Sequence, residues 1–286
     1  MLTEKNYFLS IMDQTTVQRE HPDNNRLKLK NEHERDKNIQ FYEEGHIYDI
    51  NGDRSYTSVT SIVSQYYDHF DADKVIAKIL KKNSDPSHKY YNMTKEEIKE
   101  LWDHNRDDAA TKGTIMHFNI ESYYNENVVD NSLIEIKHHF RNYQRDFVDP
   151  KKWLPYRTEM LVYDEDIKIS GSIDMLYKAS EENEQELIIA DWKRTKELQK
   201  ENRFQNMKSP FDHFPDTNYY HYCLQLNIYC YILETKYNKR IKEMYLVVLH
   251  ENNSDYVVEF VPRFSEEIKD LVEKRKIHLL KDQSSS

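Results

Sequence analysis

Two carboxylates and a lysine are the residues of this chain best suited to catalysis. Asp174 ends the motif G-S-I-D at residues 171–174, and Asp191 and Lys193 belong to the motif D-W-K, which follows the apolar run 187–190. Carboxylate oxygens are the ligands that Mg²⁺ and Mn²⁺ prefer. A divalent ion beside a positive side chain suits the hydrolysis of a phosphodiester by a bound water. The two motifs therefore predict a metal-dependent hydrolytic centre on adjacent strands of one sheet.

Composition favours one globular domain without a membrane span. Of the 286 residues, 38% are apolar and 32% are charged, and the mean hydropathy is −0.95. No run approaches the roughly 20 apolar residues that cross a bilayer. Residues 1–10 lack the basic start and apolar core of a secretory signal. We expect an intracellular protein that is not secreted; its compartment, whether cytoplasmic, nuclear, mitochondrial or that of a virus-encoded protein, is left open.

The two cysteines point the same way. Cys223 and Cys230 are seven residues apart in one predicted helix, which places them about two turns apart and too far for a disulfide. Two cysteines also cannot supply the four thiolates of an iron–sulfur cluster. The sequence predicts free thiols and no such cluster.

The net charge of −10 counts against a nucleic-acid enzyme, but the charge is unevenly distributed. Residues 193–208 contain six Lys or Arg and two Glu, so this segment carries +4 and the remainder −14. Arg194, Lys196 and Arg203 are our candidates for DNA contact, although such a run is also an ordinary solvated face. The rings in and after the segment suit a groove for single strands, and packing of an irregular loop explains them equally well. These rings are Phe204, Phe211, Phe214, Tyr219 and Tyr220.

The chain divides into a polar lead-in and one domain. Residues 1–38 lack periodicity and are predicted to form a flexible or irregular N-terminal arm, with order beginning near Ile39. A small hairpin follows at 40–50, and residues up to Pro150 are mostly helical. The predicted helices are 57–67, 73–80, one that begins at the capping box of Thr94 and Glu97, about 107–125, and about 132–147.

After Pro150 the pattern changes to strands. Alternating and apolar runs at 156–163, 167–177 and 187–192 predict an antiparallel meander. A long helix at 217–237, strands at 244–249 and 256–261, and an amphipathic helix at 265–280 complete the chain.

Four motifs in this order resemble those of the PD-(D/E)xK nuclease superfamily. They are G-T-I-M-H at 113–117, G-S-I-D at 171–174, D-W-K at 191–193 and Q-L-N-I-Y at 225–229. The resemblance covers about residues 57–280 and is nearest to the RecB-type exonuclease branch, which includes the mitochondrial genome maintenance exonuclease and phage and large-virus relatives. It implies an α/β, restriction-endonuclease-like fold with a central mixed β-sheet flanked by helices. The single nuclease domain would span 39–282, with a hairpin and helical part (39–150) carrying the histidine and a catalytic core (151–282).

The resemblance also implies roles for individual residues. His117, Asp174, Asp191 and the Trp192 backbone carbonyl would bind Mg²⁺ or Mn²⁺, and the imidazole would favour the softer Mn²⁺. Lys193 would position or activate the hydrolytic water, the latter helped by a pKa lowered through desolvation.

Four further residues complete the predicted site. Gln225 and Tyr229, one helical turn apart, would orient the lysine or contact the phosphate. Glu121 and Glu159 are candidates for a supporting shell around the metal ligands.

Each role has an ordinary alternative. His117 could be satisfied by Glu121 one turn along the helix, and Asp191 and Lys193 could form a surface ion pair. Tyr229 could be a core residue. Against the surface pair, Asp191 ends a strand too apolar to be exposed, and a buried carboxylate is costly without a cation.

These features together predict a metal-dependent DNA nuclease. We expect a single-strand-preferring exonuclease of DNA replication, repair, recombination or viral genome processing. The alternatives are a structure-specific endonuclease and a catalytically silent nucleic-acid-binding member. The chain has no G-x-x-x-x-G-K-[ST] loop, so any helicase or replication partner would be a separate protein.

Overall fold

A six-stranded mixed sheet is the centre of the computed structural model, which describes residues 24–127, 134–183 and 185–284. The strands are β3 (Thr57–Ser58), β4 (Leu154–Asp164), β5 (Ile169–Lys178), β6 (Glu186–Lys193), β7 (Arg240–Val248) and β8 (Val257–Phe260). A separate antiparallel hairpin consists of β1 (Ile39–Tyr42) and β2 (Ile47–Ile50). The predicted meander is confirmed, since β4, β5 and β6 pair antiparallel. The parallel pairs β6–β7 and β3–β5 make the sheet mixed, as expected.

Helices cover both faces of this sheet. They are α1 (Arg26–Lys30), α2 (Val59–Ser64), α3 (Ala72–Leu80), α4 (Lys95–Tyr124), α5 (Ile134–Tyr143), α6 (Asn218–Lys236) and α7 (Ser265–Ser284). A π-helical turn (Gln144–Val148) and a 3₁₀ turn (Asp149–Lys151) continue α5. None of the helices in the described ranges combines the length and the apolarity that crossing a membrane requires.

The helix α4 joins two elements that the sequence suggests are separate. Its 30 residues begin at the predicted capping box, in which the Thr94 hydroxyl accepts the Glu97 amide and the Glu97 carboxylate accepts the Thr94 amide. Charged residues between 103 and 112 are all compatible with a helix, so nothing interrupts it. The helix is about 45 Å long at 1.5 Å per residue.

The alternation of side chains along β6 decides which face of the sheet each catalytic candidate points to. Leu187 and Ile189 of β6 pack with α2, α6 and α7 on one face, whereas Ile188 and Trp192 pack with α4 and α5 on the other. Since side chains along a strand alternate, the odd positions of β6 continue the α6 face. Asp191 and Lys193 therefore point toward α6.

Part of the predicted N-terminal arm is folded. Residues 1–23 of the predicted arm lie outside the described residues, but residues 24–38 include the helix α1, whose Leu27 is buried in the core beneath α4 and α5. Order therefore begins well before Ile39. Both cysteines are free and buried on α6, so the prediction of free thiols is confirmed.

Candidate active site

The site lies where β5 and β6 separate. Their ladder ends at the pair Met175–Ala190, so the next residues, Asp174 and Asp191, are not paired through their backbones. Instead, the Trp192 amide donates to Asp174 Oδ2 (2.9 Å). This bond holds the Asp174 carboxylate between the two strands. We call this place, which lies between His117 of α4 and the Lys193 side chain at α6, the cleft.

Three side chains from three elements form a candidate metal site. His117 on α4, Glu159 on β4 and Asp174 on β5 each offer a ligand atom, and these atoms lie within 4.8 Å of one another. His117 Nδ1 is 3.5 Å from Glu159 Oε1 and 3.6 Å from Asp174 Oδ2. One nitrogen and two carboxylates are a donor set that suits Mn²⁺ or Mg²⁺.

The Trp192 carbonyl orients the imidazole of His117. His117 Nε2 lies 3.2 Å from this oxygen. A carbonyl can only accept, so Nε2 carries the proton and the Nδ1 of a neutral ring is left as the free lone pair facing the carboxylates. A metal-binding histidine typically has its second nitrogen fixed in this way.

The ionisable side chains of this site shift one another's pKa values. Burial and the neighbouring Asp191 raise the pKa of Asp174 to about 7. Burial lowers the pKa of His117, but Asp174 and Glu159 outweigh it and raise that pKa to about 9. Carboxylates this close to one another resist being charged at the same time. A bound cation would offset the negative charge of all of them.

Glu159 is the member of this group whose position the sequence leaves least defined. It lies opposite Asp174, since its neighbours Thr158 and Met160 pair with Met175 and Ile173. Its carboxylate accepts the Ser172 hydroxyl (2.8 Å), and its φ is +43°, which is strained for a residue with a side chain. Strain of this kind concentrates at functional sites, and here it accompanies a carboxylate aimed at His117.

Lys193 is held at the α6 wall of the cleft. Its Nζ lies 2.6 Å from Asp191 Oδ2 and donates to Gln225 Oε1 (3.3 Å), and Gln225 Nε2 donates to Tyr229 OH (3.5 Å). The ring of Tyr222 lies 4.5 Å from Nζ. The pair Asp191–Lys193 is therefore buried rather than a surface ion pair, and Gln225 contacts the lysine.

The pKa of Lys193 is raised, whereas desolvation alone predicts a lowered one. Burial lowers the pKa of Lys193, but Asp191 and Asp174 outweigh burial and the pKa is raised. The two carboxylates therefore favour the charged ammonium form of Lys193.

Gly171 makes room for Tyr229. A Cβ at this position would lie 2.7 Å from Tyr229 Cε1, 2.9 Å from its hydroxyl and 3.1 Å from Val59 Cγ2. Tyr229 is buried and cannot move away without cost. Gly171 is thus required because any larger residue would clash with the ring of Tyr229, which supports Gln225.

Replacing Gly171 with alanine should lower the free energy of unfolding by about 1–3 kcal/mol, the cost of overpacking a core. Urea denaturation measures this loss. In a Tyr229→Ala background, which is itself destabilised by the lost ring, adding Gly171→Ala should cost much less than it does in the wild-type chain, because the clashing ring is absent. Gly113→Ala is the matched control, since a Cβ there meets nothing within 4 Å. Equal losses at both glycines would contradict the explanation by close contact.

The remaining predicted residues lie on α4 or on the segment that follows β6. Glu121 is one turn beyond His117 on α4, and its supporting role stays a prediction. Arg194 is largely buried and pairs with Glu251, so it is not a free cation. Lys196 is exposed, and Arg203 is exposed at 3.8 Å from Glu201.

Acidic partners from distant elements compensate much of the basic segment. Lys200 pairs with Glu259 of β8, and Lys208 pairs with Asp68. Packing explains most of its rings as well: Phe211 and Tyr219 are buried, and Phe214 and Tyr220 pack against the core, whereas Phe204 is 98% exposed.

Further rings lie at the start of α6, next to Lys193 or stacked on a neighbouring ring. Tyr222 lies beside Lys193, and Tyr67 stacks on His221 with ring centroids 3.9 Å apart. His221 in turn is 2.7 Å from Asp216. Tyr222 and His221 lie in the first turns of α6, one helical turn before Gln225. This spacing is the feature of the sequence that could have identified them as neighbours of the site.

Comparison with known proteins places the chain in a family. The model of the PD-(D/E)XK nuclease superfamily matches residues 88–282. No curated protein matches the sequence. Two solved structures are similar to this chain: that of SSO0001 (14% identity, 79% of this chain and 77% of that chain covered, TM-score 0.34) and that of a "Putative exonuclease" from Eubacterium rectale (8% identity, 79% of both chains covered, TM-score 0.37). Likenesses with TM-scores this low carry no argument about activity.

Proposed function

The chain belongs to the PD-(D/E)XK nuclease superfamily, and on that premise we propose that it is a metal-dependent DNA exonuclease that prefers single strands or free ends. The observation that carries the proposal is the placement of the ligand group beside a lysine. His117, Glu159 and Asp174 converge on one side of β5 and β6, and Lys193 lies against Asp191 where the same strands separate.

The metal would be held by His117 Nδ1 and by the carboxylates of Glu159 and Asp174, with Asp191 as a further candidate ligand. A divalent ion there would lower the pKa of a bound water and neutralise charge that develops on the phosphate. The nitrogen ligand supports Mn²⁺ over Mg²⁺ as the preferred ion. In this arrangement the Trp192 carbonyl fixes the imidazole rather than binding the ion.

Lys193 would act as a fixed positive charge. Asp191 and Gln225 restrain its ammonium group, and the raised pKa keeps the proton on it at neutral pH. An ammonium preorganised in a partly dry cleft stabilises the negative charge of a phosphoryl transition state at little reorganisation cost. Tyr229, buried behind Gln225, would keep the amide from turning away.

The two walls of the cleft support a preference for single strands. Tyr222 and the stacked pair Tyr67 and His221 lie on the α6 side, where an unpaired base could stack on a ring. On the α4 side, Gly113 lies one turn before His117 on the same helical face and leaves open space. A strand backbone could approach the helix closely there.

The experiment that tests the proposal uses end-labelled linear, circular and hairpin DNAs with Mn²⁺ or Mg²⁺. Linear single strands should be degraded from an end, closed circles should persist, and EDTA should stop the reaction until Mn²⁺ is restored. Degradation that continues in EDTA would contradict the metal mechanism. Cleavage of closed circles would replace the exonuclease with a structure-specific endonuclease, and a fully inert chain that still binds DNA would make it a silent member of the family.

A further inference from the structure

Four basic side chains meet at one corner of the cleft, where β6 and β7 end beside α4. We call Lys112, Arg194, Lys196 and His250 the basic corner. In the parallel pair β6–β7, Lys193 lies opposite Val248, and the Leu249 amide donates to the Lys193 carbonyl (3.0 Å). Arg194 and His250 therefore leave the sheet side by side, immediately after the catalytic lysine.

Lys112 reaches the same corner from α4. It precedes His117 by five residues, which is about 7.5 Å along the helix. His117 contacts the Trp192 carbonyl, so Lys112 lies only about one and a half helical turns along α4 from the end of β6. Burial lowers the pKa of His250, Glu251 opposes this effect, and Arg194, Lys196 and Lys112 lower the pKa further, which agrees with this placement. Lys112 also pairs with Asp108 and is 41% exposed, and Lys196 is exposed.

Arg194 is the buried member of the corner. Only 7% of its side chain is exposed, and Glu251 accepts a hydrogen bond from one guanidinium nitrogen. The Arg194 Nε and Glu251 Oε2 are both buried without a hydrogen-bond partner in the described part of the chain. A guanidinium group has five N–H donors, and Glu251 occupies only part of them, so the exposed edge of Arg194 keeps donors for an anion with several acceptor oxygens.

We propose that the basic corner binds a backbone phosphate of the substrate strand next to the scissile one, and that Glu251 is a positioning residue that holds Arg194 for it. This inference rests on the proposed nuclease function and names a subsite of the same cleft. Cations from α4 and from the end of β6, together with the neutral imidazole of His250 at the end of β7, lie on the chain segment that directly follows Lys193 or next to it. A phosphodiester supplies the negative charge and the acceptor oxygens that this set lacks.

The lysines provide the first test, because both are exposed and can be changed without disturbing the core. Lys112→Ala and Lys196→Ala should each raise KM for single-stranded DNA about three- to tenfold with kcat nearly unchanged. Each should also reduce the slope of log KM against log salt by about 0.7, the value for one phosphate contact on a single strand. Lys99→Ala, on the same helix but 13 residues before Lys112, is the matched control and should change neither quantity.

Glu251→Gln tests the positioning role. The amide keeps the shape of the side chain and removes its charge, so Arg194 is held less firmly, KM should rise, and the salt slope should change with it. Glu259→Gln, which breaks an exposed lysine pair, is the control. A change in melting temperature alone, with KM and the salt slope unchanged, would show that Glu251 merely stabilises the fold and would overturn this part of the proposal.

Oligonucleotides with phosphorylated and unphosphorylated ends separate the two sources of the phosphate. A loss in Lys112→Ala that is equal for both substrates supports an internal phosphodiester. A loss confined to phosphorylated ends overturns that assignment in favour of a terminal phosphomonoester. A wild-type chain without Mn²⁺-dependent degradation contradicts the proposed function, whereas an active chain in which Lys112→Ala equals Lys99→Ala contradicts the basic corner alone.

Discussion

Replacing Lys193 with methionine is expected to lower kcat by about a thousandfold while substrate binding changes little. The expectation follows from the proposed role of the ammonium, which acts on charge that develops during the reaction. Losing one preorganised donor costs about a hundred- to a thousandfold in kcat, and a full positive charge places Lys193 at the upper end of this range. Single-turnover degradation of a linear single strand in saturating Mn²⁺ measures the loss. A variant that keeps wild-type kcat would remove Lys193 from the catalytic machinery.

Loss of activity must be separated from loss of fold, since Lys193→Met leaves Asp191 as a buried carboxylate without its cation. Breaking one side of a buried pair typically costs about 3–5 kcal/mol, whereas replacing both sides costs much less. The double variant Lys193→Met, Asp191→Asn should therefore regain stability in urea and stay inactive. Lys200→Ala, which removes an exposed lysine of the following segment, should retain both activity and stability.

The parts of the site that follow from local periodicity could be predicted from the sequence. Alternation along β6 places Asp191 and Lys193 on one face, and one helical turn separates Gln225 from Tyr229, whose side chains are in contact. The meander and the mixed sheet follow from the same kind of pattern and are confirmed.

The parts that depend on distant pairing could not be predicted. Glu159 reaches the ligand group only because β4 and β5 pair in the register that sets it opposite Asp174. Arg194 looks like a free cation in the sequence, yet its partner Glu251 is 57 residues away. Phe211 sits in a polar, proline-containing loop, and nothing local shows that the loop folds back to bury the ring.

The lead-in segment is the largest such case, because the side-chain contacts that tie it to the domain are with residues more than 90 positions away. The Leu27 amide donates to Asn125 Oδ1, which ties the segment to the end of α4. Arg35 lies over the ring of Tyr163 and pairs with Glu165 at the end of β4. Asp36 pairs with Arg157, two residues before Glu159. The segment thus holds β4 on both sides of the candidate metal ligand, although its own sequence has no periodicity.

The pair Asp36–Arg157 carries the second large prediction. Both side chains are at most 6% exposed and 2.7 Å apart, and Arg157 Nη1 also donates to the Asn31 carbonyl. Asp36→Ala leaves the guanidinium buried without its counter-charge, so the free energy of unfolding should fall by about 3–5 kcal/mol in a urea titration. Removing both charges with Asp36→Leu, Arg157→Met should cost far less, because the desolvation of two ions is then avoided.

The variant Asp36→Ala also shows whether residues 24–38 act as a clamp that holds β4 in place or merely lie against the domain. An arm that merely touches the domain would lose under about 1 kcal/mol on Asp36→Ala, as exposed ion pairs do. Exposed Arg26, which pairs with Glu126, provides that comparison, and Arg26→Ala should stay within this range. If Asp36→Ala is equally mild, residues 24–38 do not hold β4. If it is severe and also weakens Mn²⁺ binding measured by calorimetry, β4 needs this clamp to present Glu159 to the metal.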